Sequence, residues 1–401
     1  MNLFRIAYAY ARKSPLTTVL NLVLLALGVA TVTLLLLLTT ALDDRLKRDA
    51  AGIDLVVGAK GSPLQLVLAG VFHVDVPPGN IPLAEIDRLR ANPLVASVVP
   101  IAMGDSYLGY HIVGTEPSAL ELYGARLRQG RGWSAPMEAV LGAEVARRSG
   151  LVVGAGFAGS HGLAAGGEVH ADEPYRVVGV LEPAGNVVDR LILTGIDSVW
   201  KVHHHEEQEQ GESAAGERAP EVTMGLVRYA TPLAAATLPR QINNETLLQS
   251  ASPAYESARL LTVFGVGTDV IRAFAAFLML AAGLGMFIAL YQAMEQRQYD
   301  LAVMRTLGAS RWRVCALLLL EATVLAAAGA TLGILAGHAL LACIGAWLPA
   351  AASLAPVAMR MLPGEGALVA LVLAGGILAA LLPAWRAYRL DVAATLAKGY
   401  P

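Results

Sequence analysis

The side chains best able to bind a metal are concentrated in one short run, His203, His204, His205, Glu206 and Glu207. Imidazole nitrogens and carboxylate oxygens together suit Zn²⁺ or Cu²⁺. Consecutive residues do not easily direct three ligands at one ion, and the surrounding segment 203–221 is polar without apolar periodicity. The segment is therefore predicted to be a solvated loop. Three interpretations stay open for it: a polar insertion without a ligand, a weak zinc-capturing loop, and a structural metal site.

Isolated ionisable residues also occur inside apolar runs. Glu321 is the one charged residue within the run 314–347, where a carboxylate is costly by about 2.5–3.5 kcal/mol and often functional. A single carboxylate offers no chain of partners for proton or ion relay, so a hydrogen-bonded role is favoured. His338, the one histidine outside segment 43–269, is interpreted as a packed and hydrogen-bonded side chain.

Arrangements that would carry catalysis or bind a nucleotide do not stand out in the sequence. The motif G-x-x-x-x-G-K-[ST] does not occur, so the chain lacks the phosphate-binding loop that this motif forms. Neither a nucleophile with a base nor a spaced pair of carboxylates is evident. The chain is therefore predicted not to be an enzyme.

The composition is that of a membrane protein. Apolar residues make up 55% of the chain and charged residues 15%, against about 25% charged in typical soluble domains. The mean hydropathy is +0.54. A formal net charge of −2 removes the electrostatic reason to expect nucleic acid as a partner. Cys315 and Cys343 both lie in apolar runs, so no disulfide framework is expected outside the membrane.

Four apolar runs are long enough to cross a bilayer as helices, since about 20 residues span roughly 30 Å of hydrocarbon. Helices satisfy their own backbone groups in lipid, which makes them the expected structure. The first run is too long for a signal peptide and leads into Asp43 and Asp44, so it is interpreted as an uncleaved anchor. The predicted transmembrane helices are 16–42, 270–294, 314–347 and 366–386.

The charges that flank these helices predict their orientation. Lys and Arg are concentrated in segment 1–15, in the loop 295–313 and in the tail around 387–401, whereas the loop 348–365 has Arg360 alone. By the positive-inside rule both termini and the loop 295–313 are expected in the cytoplasm. Residues 43–269 are then expected outside the inner membrane, in the periplasm.

Segment 43–269 has the pattern of a mixed α/β domain. Short β-type runs separated by Gly and Pro predict strands at 96–99, 110–114, 139–141 and 176–181. Helical periodicity predicts helices at 83–90, 118–123 and 143–149, and a helical stalk at 246–268. The apolar run 54–73 either borders a groove near the membrane for a hydrophobic substrate or a partner, or forms a buried strand–turn–helix, of which the second is favoured.

The loop between the second and third predicted helices carries the most specific motif. Residues 295–310 read EQRQYDLAVMRTLGAS, a short helix with an apolar stripe suited to docking in a groove. This segment resembles the signature of FtsX/MacB-type ABC permeases. The matching residues are Arg297, Asp300, Leu301, Met304, Arg305, Leu307, Gly308 and Ala309.

Two other features carry the same resemblance. The tail from Pro383 to Asp391 is similar to the family's C-terminal ending, although Val392 stands where the family usually has proline. The predicted order of parts is also that of the MacB-like superfamily: one transmembrane helix, then a large outer domain, then three further transmembrane helices. The resemblance implies a membrane protein with four transmembrane α-helices and a large mixed α/β extracytoplasmic domain.

The resemblance also implies how the chain works. A separate cytoplasmic ABC ATPase would bind ATP and Mg²⁺, so this chain would hold no cofactor, and a second permease copy would complete a homodimer in the lipid membrane. One segment would then couple to the ATPase. Its residues are Glu295, Arg297, Asp300, Leu301, Met304, Arg305, Leu307 and Gly308. Movement would pass to the periplasmic domain, for export or extraction of a hydrophobic or lipid-linked molecule or for activation of a periplasmic protein.

Small residues recur every fourth position in the third predicted helix, at Gly329, Gly333 and Gly337. Such a stripe allows close approach of helices, either within the chain or between two copies. Two other functions stay open for the whole chain. One is a zinc-handling ABC component that uses the run 203–207, and the other is a non-transporting signalling or scaffold protein.

Overall fold

The computed structural model describes residues 15–160, 174–209, 219–296, 298–348, 354, 356–389 and 391–397. The chain divides into two compact units. Met1–Leu42 and Val263–Pro401 form the membrane unit, and Asp43–Thr262 form the α/β domain.

Helices occur in both units. In the part of the chain that the structure describes they are α1 (Pro15–Asp49), α2 (Pro63–Gly70), α3 (Leu83–Arg90), α4 (Ser118–Leu122), α5 (Ala143–Ser149), α6 (Ile196–Glu209), α7 (Pro232–Glu245), α8 (Pro253–Gln296), α9 (Gln298–Thr306), α10 (Arg311–Trp347), α11 (Pro363–Tyr388) and α12 (Val392–Ala397).

The strands of the described residues all belong to the α/β domain. They are β1 (Leu55–Ala59), β2 (Ile81–Pro82), β3 (Val95–Tyr107), β4 (Tyr110–Thr115), β5 (Leu127–Gly130), β6 (Glu138–Leu141), β7 (Gly156–Phe157), β8 (Tyr175–Leu181), β9 (Ile192–Gly195), β10 (Glu221–Val222), β11 (Met224–Tyr229) and β12 (Leu248–Ala251).

Four of the described helices, α1, α8, α10 and α11, are long and apolar enough to cross a membrane. One is N-terminal and three are C-terminal, which confirms the predicted order. The helices extend beyond the predicted limits, because α1 continues past residue 42 to Asp49 and α8 starts at Pro253 rather than at 270. The pairs Asp43–Lys47 and Arg45–Asp49, four residues apart, stabilise the last turns of α1.

The membrane unit is held together by a core in which all four long helices take part. Its buried residues are Leu25, Val29, Ala282, Ala326, Ala330, Ile334, Leu368 and Val372. Three of these eight residues are alanine, whose small side chain suits close packing between helices in lipid.

A mixed sheet with the strand order β12-β1-β11-β3-β4-β9-β6-β8-β5 forms the centre of the α/β domain. The pairs β4–β9 and β6–β8 are parallel, and the other pairs along this order are antiparallel. Alternate residues enter different cores: Val56 faces one cluster, whereas Leu55 and Val57 face another. Both faces of the sheet are therefore covered.

Most predicted elements of the domain are present. The four predicted strands lie within β3, β4, β6 and β8, and the predicted helices correspond to α3, α4 and α5. The run 54–73 is the favoured buried strand–turn–helix, because Val56, Leu66 and Val67 are fully buried in the core.

Two predicted elements are wrong. Residues 248–251 form β12 rather than part of a helical stalk, since they pair with β1 and bury Leu248 and Ala251. The stalk begins only at Pro253, where proline is favourable at a helix start. Residues 203–209 are not loop but the end of α6, and the remainder of the predicted loop, residues 210–218, lies outside the described residues.

Candidate functional site

The predicted ATPase-coupling segment forms α9 and two helix caps. Gly308 has a φ of +96°, a conformation that favours glycine. Its N–H donates to the Arg305 carbonyl at 3.1 Å, and the Ala309 N–H donates to the Met304 carbonyl at 3.0 Å. These two bonds form a Schellman motif that ends α9. Ser310 then caps α10, because its hydroxyl accepts from the Arg313 N–H at 3.3 Å.

The apolar stripe of α9 does not lie on the surface as a whole. Leu301 is 2% exposed, and Met304 also packs against the ends of the membrane helices. The buried residues of this cluster are Met294, Leu301, Val314, Leu318, Ala384 and Ala387. Leu301 is thus covered within this chain and Met304 is covered in part, because a helix this short is stable only when one face is packed. The role of both residues in ATPase coupling stays a prediction.

Other residues of the segment remain accessible. Leu307 is 82% exposed, and Glu295 and Gly308 are exposed as well. Asp300 and Arg305 are half-buried, and Arg297 lies outside the described residues. The surface that α9 offers a partner is therefore its C-terminal end around Leu307, followed by Trp312, which is also exposed.

The C-terminal tail completes this end of the bundle. Asp391 accepts from the Ala393 N–H at 2.9 Å and so begins α12, which packs against α9. Val392 occupies the first position of this helix, where proline is also favourable. The two sequence motifs, at 295–310 and 383–391, therefore lie together.

Two arginine–aromatic contacts at the same end were not predicted from the sequence. The Arg386 guanidinium donates to the Tyr291 hydroxyl and lies 4.9 Å from the ring centroid. The Arg389 guanidinium lies 4.1 Å from the Trp385 ring centroid. Such residues are typical of the boundary between membrane and water, and that pattern in the tail could have indicated them.

The glycine stripe of α10 packs within the chain. A Cβ atom at Gly329 would lie 2.6 Å from Leu25 Cδ2, and one at Gly333 would lie 2.5 Å from Val29 Cβ. Gly337 likewise approaches Thr33. The stripe therefore allows α1 to approach α10, the intrachain alternative of the prediction.

Two carboxylates of the apolar helices, Glu321 and Glu365, are buried, and His338 is partly buried. Glu321 faces the interior of the bundle. His338 has the predicted hydrogen bonds, with Nδ1 at 2.7 Å from the Ala358 carbonyl and Nε2 at 3.1 Å from Glu365 Oε1. Glu365, which was not predicted as a site residue, is buried at the start of α11 and links it to α10 through this histidine.

The predicted metal-binding run lies on α6, and the side chains of His203, His204, His205, Glu206 and Glu207 are outside the described set. Elsewhere in the described chain, no group of three or more His, Cys, Asp or Glu is arranged to hold a metal. The zinc site at 203–207 stays a prediction.

The end of α1 is fixed to the α/β domain by buried charge. Asp49 is buried, and its Oδ2 lies 3.6 Å from an Arg190 guanidinium nitrogen and 3.7 Å from Arg45 Nε. Arg48 Nε donates to the Gly185 carbonyl at 3.3 Å. This ion pair could not be predicted from the sequence, because Asp49 and Arg190 are far apart along the chain.

The buried His73 and the half-buried His111 were also not predicted as a pair. Burial, together with the nearby His111 and Arg190, lowers the pKa of His73 to about 3. Burial also lowers the pKa of His111, although a hydrogen bond to the backbone of His73 opposes this shift. Both imidazoles are therefore neutral at physiological pH.

Comparison with known proteins agrees with the architecture. The MacB-like periplasmic core domain matches residues 18–244, and the FtsX-like permease C-terminal domain matches residues 272–392. The chain belongs to the family of FtsX-like ABC transporter permeases with a MacB-like periplasmic core domain. Permeases of this family work with a cytoplasmic ABC ATPase, typically as dimers.

Solved structures resemble the chain over about half of its length. The periplasmic region of MacB from Actinobacillus actinomycetemcomitans is 12% identical, with a TM-score of 0.34, over 53% of this chain and 95% of that one. The extracellular domain of the noncanonic ABC-type transporter YknZ from Gram-positive bacteria is 13% identical, with a TM-score of 0.30, over 50% of this chain and 99% of that one. A search of curated proteins found no match.

Proposed function

We propose that this permease subunit transmits movement from a separate cytoplasmic ATPase to its MacB-like domain across the inner membrane. The observation that carries the proposal is the continuity of two helices. α1 runs from the membrane unit to Asp49, and α8 runs from Pro253 into the membrane unit without a break. A continuous α-helix transmits displacement along its axis, because its backbone hydrogen bonds hold successive turns together.

The domain end of α1 is firmly held. The Asp49–Arg190 ion pair and the packing of Leu46 and Ala50 against the domain core fix its last turns. Pro253 at the start of α8 follows β12, whose residues are paired along β1. Displacement of either helix would therefore reach the sheet rather than be absorbed by a flexible linker.

The input surface is the C-terminal end of α9. Leu307, which directly follows α9, is an exposed apolar side chain next to the Schellman glycine. Leu301 and Met304 of α9 pack against α10 and α11, and α12 also contacts α9. A partner that buries Leu307 would move α9 together with the helices that it contacts. The chain lacks the phosphate-binding loop, which is consistent with energy supplied by that partner.

We also propose an orientation, an oligomeric state and a class of substrate for the subunit. Both termini and α9 would lie in the cytoplasm, the α/β domain in the periplasm, and two copies of the chain would form a homodimer. The moved molecule would be hydrophobic or lipid-linked, or the domain would activate a periplasmic protein. This choice rests on the apolar membrane unit, which offers no polar track for a hydrophilic solute in the sequence of its helices.

Leu307→Gln tests the input surface. Burial of a leucine side chain contributes about 1.5 kcal/mol or more, so the substitution should weaken ATPase binding about tenfold. The intact chain is purified in mild detergent with the ATPase that accompanies it, and affinity and ATP hydrolysis are measured. Leu247→Gln, at a residue 89% exposed in the α/β domain, is the matched control. Wild-type affinity in Leu307→Gln would contradict the assigned surface.

A further inference from the structure

Two arginines of the α11 end lie over aromatic rings, on the side of the membrane unit where α9 packs. The Arg386 guanidinium lies 4.9 Å from the ring centroid of Tyr291 on α8 and also donates to its hydroxyl. The Arg389 guanidinium lies 4.1 Å from the ring centroid of Trp385, one turn earlier in the chain. A guanidinium over a ring keeps most of its five N–H donors available, because these donors point outward in its own plane.

Carboxylates do not neutralise these arginines. In the part of the chain that the structure describes, Arg386 and Arg389 form no ion pair, and both side chains are exposed. Arg311, at the start of α10, adds a third positive charge, since its guanidinium lies 6.0 Å from the Tyr388 ring centroid and no described carboxylate pairs with it. This end of the unit therefore presents unpaired positive charge that suits an anion.

An exposed apolar stripe on α11 leads to the second of these arginines. Leu378, Leu382 and Trp385 precede Arg389 at spacings of four, three and four residues, which places the four side chains on one face of the helix. All four are exposed, so no other described helix covers this face. At about 1.5 Å per residue the α11 stripe is roughly 16 Å long, about the depth of one leaflet of a bilayer.

The combination of unpaired charge and the α11 stripe selects the ligand. The phosphate of a phospholipid accepts hydrogen bonds from guanidinium groups, and its acyl chain would lie along the stripe. Basic residues at the membrane boundary favour lipids with a net negative charge. A free phosphate ion would use the arginines alone, and a soluble protein would not reach leucines within the hydrocarbon layer. An anionic phospholipid is the ligand that uses both features.

We propose that Arg386 and Arg389 bind the phosphate of one anionic phospholipid, whose acyl chain lies along the α11 stripe. Arg311 strengthens the site through its charge. The site is separate from Leu307, the residue proposed to contact the ATPase, and it does not depend on the transmission of movement. It requires only that the membrane unit lies in a bilayer.

The test uses the full chain, purified in detergent and freed of bound lipid. Phosphatidylglycerol and phosphatidylcholine with the same acyl chains are titrated separately, and bound lipid is counted by native mass spectrometry. The expected result is one phosphatidylglycerol per chain, bound at least about tenfold more tightly than phosphatidylcholine. Inorganic phosphate, the third probe, should not displace the bound phosphatidylglycerol.

Arg386→Gln and Arg389→Gln identify the residues that bind the headgroup. Each should weaken phosphatidylglycerol binding about fivefold, which corresponds to the contribution of about 1 kcal/mol from one basic residue near an anionic surface. Arg272→Gln is the matched control, because Arg272 also lies on a membrane helix but pairs with Asp269 at 2.8 Å. This control should bind phosphatidylglycerol as tightly as the wild type.

The melting temperature of the lipid-free variants separates loss of binding from loss of fold. Arg389→Gln keeps the test valid if Arg386→Gln disturbs the contact between α8 and α11, since Arg389 and its ring partner Trp385 both belong to the end of α11.

Four results would overturn the site. They are equal affinity for the two lipids, displacement of phosphatidylglycerol by inorganic phosphate, an unchanged lipid preference in the correctly folded variants Arg386→Gln and Arg389→Gln, and an equal loss of binding in Arg272→Gln. If the two variants kept the lipid preference but lost affinity for the ATPase, the arginines would belong to a protein contact instead.

Discussion

The end of α9 before α10 depends on Gly308. Its left-handed backbone costs a residue with a Cβ atom about 1–2 kcal/mol, although a side chain there would meet nothing within 4 Å. The requirement at this position is therefore conformational and not steric. Leu307, directly before this glycine, is exposed, and Ser310, two residues after it, caps α10.

We expect Gly308→Ala to lower the free energy of unfolding of the membrane unit by about 1 kcal/mol, because alanine is strained at positive φ. Thermal unfolding in detergent measures the change. Gly375→Ala is the matched control, since Gly375 also has open space around it and lies inside α11. The explanation fails if both variants unfold at the same temperature as the wild type.

Glu138 makes the stability of the α/β domain depend on pH. A hydrogen bond from Arg131, followed by one from the Ser134 N–H, lowers the pKa of Glu138 from 4.5 to about 2. The folded domain then binds fewer protons than the unfolded chain between these values. Its contribution is therefore complete above pH 4.5 and is lost as the pH falls toward 2.

Glu138→Gln should flatten the loss of stability between about pH 4.5 and about pH 2. The contribution is on the order of 1 kcal/mol, since Arg131 is more than half exposed and solvent screens the pair. Chemical unfolding at several pH values measures the slope. Glu121→Gln on the exposed side of α4 serves as the control, and an equal slope in both variants and the wild type would exclude Glu138 as the cause.

At the scale of elements, the contact between α1 and α10 depends on the absence of side chains. A Cβ atom at Gly333 would lie 2.7 Å from the Ala26 carbonyl oxygen, which belongs to the backbone and cannot rotate away. The two helices would have to separate. Their close contact therefore depends both on the glycine of α10 and on the backbone of α1 that lies against it.

Gly333→Ala should therefore destabilise the membrane unit by about 1–3 kcal/mol, the usual cost of overpacking. The melting temperature in detergent reports the effect, and Gly375→Ala is again the control with free space. If Gly333→Ala melted at the wild-type temperature, α1 and α10 could not be in the described contact.

The elements that the sequence predicted correctly are those with local signals. The helix α3 has the predicted bounds because Pro82 favours a helix start there and the apolar residues follow the helical period. The strand β12 was missed because its burial depends on pairing with β1, from a distant part of the chain. The periodicity of α9 identified its apolar face, but not whether this chain or a partner covers Leu301 and Met304.

For the whole molecule, the important feature is the passage of α1 from one unit to the other. We expect Leu42→Pro, at the boundary of the two units, to break the helix there, because an interior proline costs about 3 kcal/mol and removes a hydrogen bond. ATP-dependent movement of spin labels in the α/β domain should be lost. ATPase binding at Leu307 should be kept.

Leu42→Ala is the control for that experiment, since alanine preserves the helix and Leu42 is exposed. Movement that persists in Leu42→Pro would mean that α1 does not carry it. Loss of movement in Leu42→Ala would mean that the leucine side chain, and not helix continuity, is required.

The strand order has a further consequence for biosynthesis. β1 lies between β11 and β12, with Leu55 opposite Val227 and Val56 opposite Ala251. At about 5–20 residues per second, the ribosome needs on the order of ten seconds or more to make these neighbours after β1 has emerged. During that interval β1 has been synthesised but both of its neighbouring strands have not. The sheet can therefore form around β1 only late in synthesis, although β1 is the first strand of the domain.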